Sequence, residues 1–359
     1  TFQDPSLVDS ISEAKAIREI LKEIYRQKTA DEWEELLGDN LCVAKIRTVE
    51  EWVHDSYEAK MPDNDKLEDP IFGEMFVSGK VATSFEFETT VVPRKLNDSL
   101  LDFIESWKKG AIFCDPNRYE EYLKKPEEQL KQLFKIPNKK APLAGIRVLD
   151  LSRIIAGPFS TRILAELGAD VLAIQSPTSL DWALSFHVIF NCGKRSVTLD
   201  LNKPEDKQRF WKIIETFSPH VVALNYRNLE LTKEIGIDYD ELKKRLPNVV
   251  YTYMNAYGIE GGWQHRPAFE QIIQAVTGIQ VEYVKTGRPK IVPIPILDMG
   301  SGLIGAFASV LGIYGALKTK KSVFMHTHMT MTATFLQIMR IAKNQRDKCF
   351  KQAAERGYS

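Results

Sequence analysis

From about residue 141 to residue 254 the chain alternates short aliphatic and β-branched runs with longer segments of helical spacing. No other feature limits its fold as much. Residues 146–151, 170–174, 196–201, 220–224 and 249–254 read as strands, and residues 159–167, 204–217 and 239–246 between them read as helices. Strands joined through helices require crossovers, which build a parallel sheet with helices on its faces. The fold class expected is therefore α/β. In such a sheet a ligand sits beyond the carboxyl ends of the strands, which selects residues 152–158, 175–178, 225–228 and 255–262.

The residues before this alternation are organised differently. Ile17, Ile20, Leu21 and Ile24 recur at helical spacing, and Thr29 with Glu32 and Thr48 with Glu51 form two capping boxes, each opening a helix. A short strand is expected at 42–46, so residues 1–60 read as a small α+β domain. Residues 61–140 read as a connection. It holds a strand over 79–92, where Val81, Thr83, Phe85, Phe87, Thr89 and Val91 alternate, helices at 97–107 and 119–133, and a Lys- and Pro-containing linker at 135–142. Residues 141–345 form the large domain and residues 346–359 a tail.

The 359 residues carry 48 basic and 48 acidic side chains, a net charge of zero. That balance excludes binding to nucleic acid or to an anionic membrane through bulk positive charge. Cys42, Cys114, Cys192 and Cys349 are far apart and form no CxxC pair, so neither a zinc ribbon nor a disulfide framework is expected; a reducing, cytoplasmic setting is. The longest uncharged apolar run, 299–317, falls short of the ~20 residues of a membrane span. It is broken by Gly302, Gly305, Ser309, Gly312 and Gly315, and reads as a buried helix whose small residues allow close packing. There is no charged-then-apolar N-terminal signal, and a chain that starts at Thr1 is expected to be a piece of something longer.

No GxGxxG follows the first strand and no P-loop is present, so ordinary dinucleotide and P-loop chemistry is not indicated. Instead Gly157 permits close backbone approach and Pro158 suits the first turn of a helix. Asp298 follows a strand-like apolar run at 291–297 and precedes the long apolar helix, whose N-terminus would favour its ionised form. On these residues alone it reads as a helix cap or a reactive carboxylate. Glu270 opens another apolar helix and reads as an ordinary first-turn acid or a site residue. Lys194 and Arg195 read as a solvated basic turn or a phosphate contact. His326 and His328 point to one side of a strand, but no third ligand lies near them in sequence, and no metal is expected.

The segments PLAGIRVLDLSRIIAGPFSTRILAELGADVLAI, FNCGKRSVTLDL, VVALNYRNLEL, YGIEGG, RPAFEQIIQAVTG and ILDMGSGLIGAFASVLGIYGAL together resemble the class III CoA-transferase family (CaiB/BaiF), over about residues 141–341. The resemblance implies a Rossmann-like large domain with a small domain, an interlocked dimer, and movement of CoA from an acyl-CoA to a small carboxylic acid. It places the family's nucleophilic aspartate on Asp298 and its second active-site carboxylate on Glu270. CoA contacts fall on Ile154, Ile155, Ala156, Leu199, Asn225 and Tyr226. The family's Ile-Glu-Arg-Pro is replaced by Ile-Gln-Ser-Pro at 174–177, a lost basic contact for which Lys194, Arg195, Arg227 and Lys233 are expected to compensate. Racemases of the superfamily use a histidine where this chain has Phe269, which ranks that activity below transfer; a non-catalytic CoA-binding repeat is the third reading. Capping-box helices resembling the family's small domain precede the large domain here. That order is expected of a tandem protein with two repeats, so the partner is a second copy or a second repeat.

Overall fold

The computed structural model describes residues 11–69, 71–86, 141–177 and 184–357. The chain begins with helices α1 (Ile11–Tyr25), α2 (Ala30–Leu37) and α3 (Val49–Glu58). Both capping boxes form: the Thr29 and Thr48 hydroxyls accept the Glu32 and Glu51 N–H groups, and each glutamate accepts its threonine's N–H at 2.7 Å. Residues 42–46 are not a strand. They have no neighbouring strand, and their donors go elsewhere: the Lys45 N–H to the Glu34 carboxylate at 3.0 Å and the adjoining Arg47 N–H to the Ala275 carbonyl at 3.0 Å. The strands of this unit lie past residue 60, where β1 (Asn64–Asp69) and β2 (Gly73–Ser78) form an antiparallel hairpin.

The strand expected over 79–92 is short among the described residues. β3 (Thr83–Ser84) pairs through two residues, after which Phe85 stacks on Phe324 at 4.2 Å and the Glu86 carboxylate accepts the Phe324 N–H at 2.9 Å. A side chain thus takes the donor that further pairing would need. The expected helices at 97–107 and 119–133 lie outside the described residues.

The alternation read over 141–254 forms, with the strand read at 196–201 ending at Thr198, and further helices join it: β4 (Arg147–Asp150), α4 (Ala156–Glu166), β5 (Asp170–Gln175), α5 (Leu184–Phe190), β6 (Arg195–Thr198), α6 (Pro204–Phe217), β7 (Val221–Leu224), α7 (Leu229–Ile235), α8 (Tyr239–Arg245), β8 (Val250–Asn255), α9 (Glu270–Val276), α10 (Ile279–Val284), α11 (Ile296–Thr319), β9 (Val323–His328), α12 (Met329–Leu336), α13 (Ile338–Asn344) and α14 (Arg346–Glu355). The seven strands lie in the order β3-β9-β8-β7-β4-β5-β6, all parallel except β3. The large sheet therefore recruits Thr83–Ser84 from the segment read as a connection. Between β4 and β7 the chain reverses the direction in which it adds strands, and a crevice opens beyond their carboxyl ends.

Each sheet face is covered by helices whose apolar stripe matches it. Phe210 and Ile214 of α6 are fully buried against Leu149, Val222 and Leu224 on one face, each such side chain contributing roughly 1.5–3 kcal/mol. On the other face α11 presents its small residues. A Cβ at Gly302 would stand 2.7 Å from the Ala156 carbonyl of α4, and one at Gly312 2.4 Å from Val250. By length and apolarity α11 is the one described helix able to cross a membrane, but this face of it is packed inside protein. Its other face is not: Leu303, Phe307 and Tyr314 stay about half exposed.

Residues 346–359, read as a tail, contain α14. It packs on the hairpin, with Phe350 edge-on to Phe72 and Arg356 hydrogen-bonded to the Asp69 carbonyl and the Glu68 carboxylate. The N-terminal unit and the C-terminal helices thus form one structural neighbourhood, which a linear boundary at 345 divides.

Candidate active site

A cavity of about 310 Å³ occupies the crevice that the strand order creates. Its wall is assembled from the strand ends: Ile154, Ile155 and Ala156 after β4, Asn225, Tyr226 and Arg227 after β7, and Met254 and Asn255 ending β8. Asp298 and Ser301, on the first turns of α11, also line it. The turn after β4 is held by side chains. The Asn225 amide accepts the Arg153 N–H and donates to the Arg153 carbonyl, both at 2.8 Å. Ile154 is left at φ +72°, a conformation unfavourable for a β-branched residue and one that concentrates at binding sites. Gly157 is required here, since a Cβ would lie 2.3 Å from the Ser152 side chain.

Asp298 does not cap its helix. The run at 291–297 is not a strand, α11 starts at Ile296, and Asp298 sits in its first turn. The cap comes from another element. Glu270, the buried first residue of α9, accepts the Leu297 N–H at 3.0 Å, the Asp298 N–H at 2.7 Å and the Gln274 amide at 2.7 Å. Sequence pointed to Asp298 as the carboxylate that the helix N-terminus would stabilise, and the structure assigns that role to Glu270. With those N–H groups engaged, burial dominates at Asp298. Together with the neighbouring Glu270 charge, it pushes the Asp298 carboxyl up to about 7. Burial also raises the Glu270 carboxyl, while its three hydrogen bonds work the other way.

The remaining sequence candidates separate. Leu199 lines a smaller adjoining cavity that shares Leu151, Arg153 and Tyr226 with the first. Lys194 is neither a solvated turn residue nor a cavity residue. Its ammonium is buried against the buried Asp150 carboxylate at 2.8 Å and also donates to the Pro158 carbonyl at 2.8 Å and the Asn191 amide at 3.0 Å. Arg195 pairs with Asp170 on the outer surface, and Lys233 is exposed on α7, away from the cavity. Arg227 reaches the cavity, but its guanidinium donates to the His265 carbonyl at 3.0 Å and to the Asp39 carbonyl, tying the N-terminal unit to the 263–269 loop. Trp263 of that loop is covered by Arg47 and Arg266, at 4.9 and 4.8 Å. Phe269, which lines the cavity, immediately precedes Glu270.

Arg153 was not among the candidates, although it directly precedes the mapped Ile154. Exposed at the cavity rim, its guanidinium makes no hydrogen bond or ion pair with the described residues. Cys42 and Met329 also line the cavity. Cys42 enters because the N-terminal unit folds over the crevice, and no local pattern announces it. His326 and His328 stack at 5.1 Å, with His328 bonded to the buried Asp63 at 3.3 Å. Among the described residues no three His, Cys, Asp or Glu side chains gather as metal ligands.

The model of CoA-transferase family III matches residues 143–356. An acyl-CoA transferase of Gibberella moniliformis is 30% identical over 260 residues, 69% of this chain and 45% of that protein. The CoA-transferase/lyase DddD of Marinomonas is 25% identical over 332 residues, 90% of this chain and 38% of that protein. The crystal structure of the Mycobacterium tuberculosis protein Rv3272 superposes with a TM-score of 0.52 at 27% identity, covering 58% of this chain and 60% of that one. The chain spans about half or less of the length of the curated relatives it matches.

Proposed function

The chain belongs to CoA-transferase family III, and from that premise we propose that it acts in acyl-CoA:carboxylate CoA transfer with Asp298 as nucleophile. The observation that carries this reading is a half-buried carboxylate, raised to about 7, on the wall of a cavity at the strand switch point. A carboxylate of raised pKa is more basic, hence more nucleophilic once ionised, and near neutral pH a large fraction of it is ionised.

An Asp298 oxygen adds to the thioester carbonyl, the C–S bond breaks, and the departing CoA thiolate leaves a mixed anhydride. The thiolate then adds to the Asp298 carbonyl, the C–O bond breaks to release the donor acid, and an aspartyl-CoA thioester remains. The acceptor carboxylate reverses the sequence. Each step exchanges one activated acyl bond for another, so the free energy of the thioester is kept. Glu270 holds the backbone of Leu297 and Asp298, which fixes the direction of attack. Arg153 at the rim is the cation available to the anionic part of CoA. The CoA contacts mapped on Ile154, Ile155, Ala156, Asn225 and Tyr226 would then act mainly through backbone and apolar surface, since the Asn225 amide is engaged by Arg153.

The partner is a second copy or a second repeat of the same polypeptide. Two observations support this: the exposed stripe of Leu303, Phe307 and Tyr314 on α11, and an alignment to DddD that takes in 90% of this chain but only 38% of that protein.

Incubation of the full polypeptide with an acyl-CoA, followed by intact mass measurement and peptide mapping, should reveal CoA bound at Asp298. The absence of this adduct, with Asp298→Ala transferring CoA as fast as wild type, would refute the proposal and favour a non-catalytic repeat.

A further inference from the structure

A second cavity, of about 290 Å³, lies at the opposite end of the sheet. The same helix reaches both. Asp298 is in the first turn of α11, and Ile313, Ala316 and Leu317 of its last turns line the second cavity, about 22–28 Å away along the helix at 1.5 Å per residue. Those three side chains, with Val249 and Val250 at the start of β8, make an apolar floor. The charged residues of the lining are all basic: Arg147 at the start of β4, Arg245 at the end of α8 and Lys320 after α11, with no Asp or Glu among the lining residues; Ser218, His220 and Asn248 add neutral polar groups.

Arg147 is held in place. Its Nε donates to the Phe217 and Ser218 carbonyls at 2.5 and 3.0 Å and one terminal nitrogen to Ser218 at 2.8 Å, while Nη1 makes no hydrogen bond with the described residues. Arg245 lies over the Trp211 ring at 4.3 Å and meets Glu215 only at 3.4 Å. His220 lies beside Arg147, and burial, aided by that guanidinium, brings its imidazole down to about 4. It is therefore neutral at physiological pH and leaves the positive charge to the arginines and Lys320.

A pre-positioned guanidinium above an aliphatic floor fits a ligand with one anionic end and an apolar body. At ~30 Å³ for each water-sized volume, the cavity holds about ten non-hydrogen atoms. We infer that this cavity binds an amphipathic monocarboxylate of medium chain length, its carboxylate between Arg147 and Arg245 and its chain on Ile313, Ala316 and Leu317.

A diazirine-bearing octanoate analogue, photolysed on the full polypeptide and mapped by peptide mass spectrometry, tests this at the level of the site. Labelling should fall on residues 246–250 and 313–317 and be competed by octanoate. It should weaken about tenfold in Arg245→Ala, which loses one charge-assisted contact, and vanish in Ala316→Phe, which fills the floor. Should Ala316→Phe fail to fold, as judged by circular dichroism, the exposed Arg245→Ala decides alone. Label confined to the residues around Asp298, label that octanoate does not compete, or label undiminished in the folded variants would overturn the inference. None of these outcomes depends on transferase activity.

Discussion

Replacing Asp298 by Asn removes the ionisation on which burial and the Glu270 charge both act. A carboxylic acid moved from 3.8 to about 7 by folding makes the ionised native state costlier by about 4 kcal/mol. The sign follows from proton binding. Between these two values the native protein keeps a proton that the unfolded chain has lost, so the contribution of this one group to stability is greatest below about pH 4 and falls as pH rises. The slope approaches 1.4 kcal/mol per pH unit, and the loss is complete just above pH 7. Asn has nothing to lose over that window, and its amide keeps the size of the side chain. Urea unfolding midpoints of both proteins across about pH 4 to pH 8 should therefore diverge, the Asn variant gaining on wild type until the difference levels off. The same variant should form no CoA adduct, and in wild type the rate of adduct formation should drop with a one-proton slope below about pH 7. Parallel stability curves would show that Asp298 titrates as an ordinary surface carboxyl. The desolvation argument for its reactivity would then fail.

Glu270→Gln retains an acceptor for the Leu297 and Asp298 N–H groups but removes a charge, so the acid limb of the adduct-formation profile should move to lower pH. Glu270→Ala, which leaves those donors without a partner, should cost about 1–3 kcal/mol for each buried group in urea unfolding. Lys194→Met strands the buried Asp150 charge and should lower stability by about 3–5 kcal/mol, with CoA affinity of the folded fraction unchanged. Arg153→Ala should do the reverse in calorimetric titration, weakening CoA binding while the unfolding midpoint stays put. Gly302→Ala drives a methyl against the Ala156 carbonyl, which a backbone atom cannot avoid; a loss of about 1–3 kcal/mol is expected, and a neutral result would show that α11 and α4 are free to separate.

The large sheet was legible in sequence because its signal is local. A strand such as 221–224, buried on both faces, must be apolar throughout, and Pro204 with Glu205 and Asp206 marks where α6 begins. The positions that line the cavity were legible for the same reason, since strand ends in a parallel sheet converge whatever their residues are. Side-chain pairing was not. Lys194 and Asp150 are 44 residues apart, and only the sheet order brings them together; from the sequence a lysine in a turn reads as solvated. The missing strand at 42–46 and the helix within 346–359 have one cause: each is decided by what lies beside it, Glu34 and Ala275 in the first case and the β1–β2 hairpin in the second.

Asp298 divides most clearly between the two levels. Sequence located it at the start of an apolar helix, where an isolated helix would lower its pKa. Tertiary structure seats Glu270 on the same N–H groups, and a helix terminus has few donors to give. Burial and a like charge then act on Asp298 without opposition from the helix, and the direction of its shift is reversed.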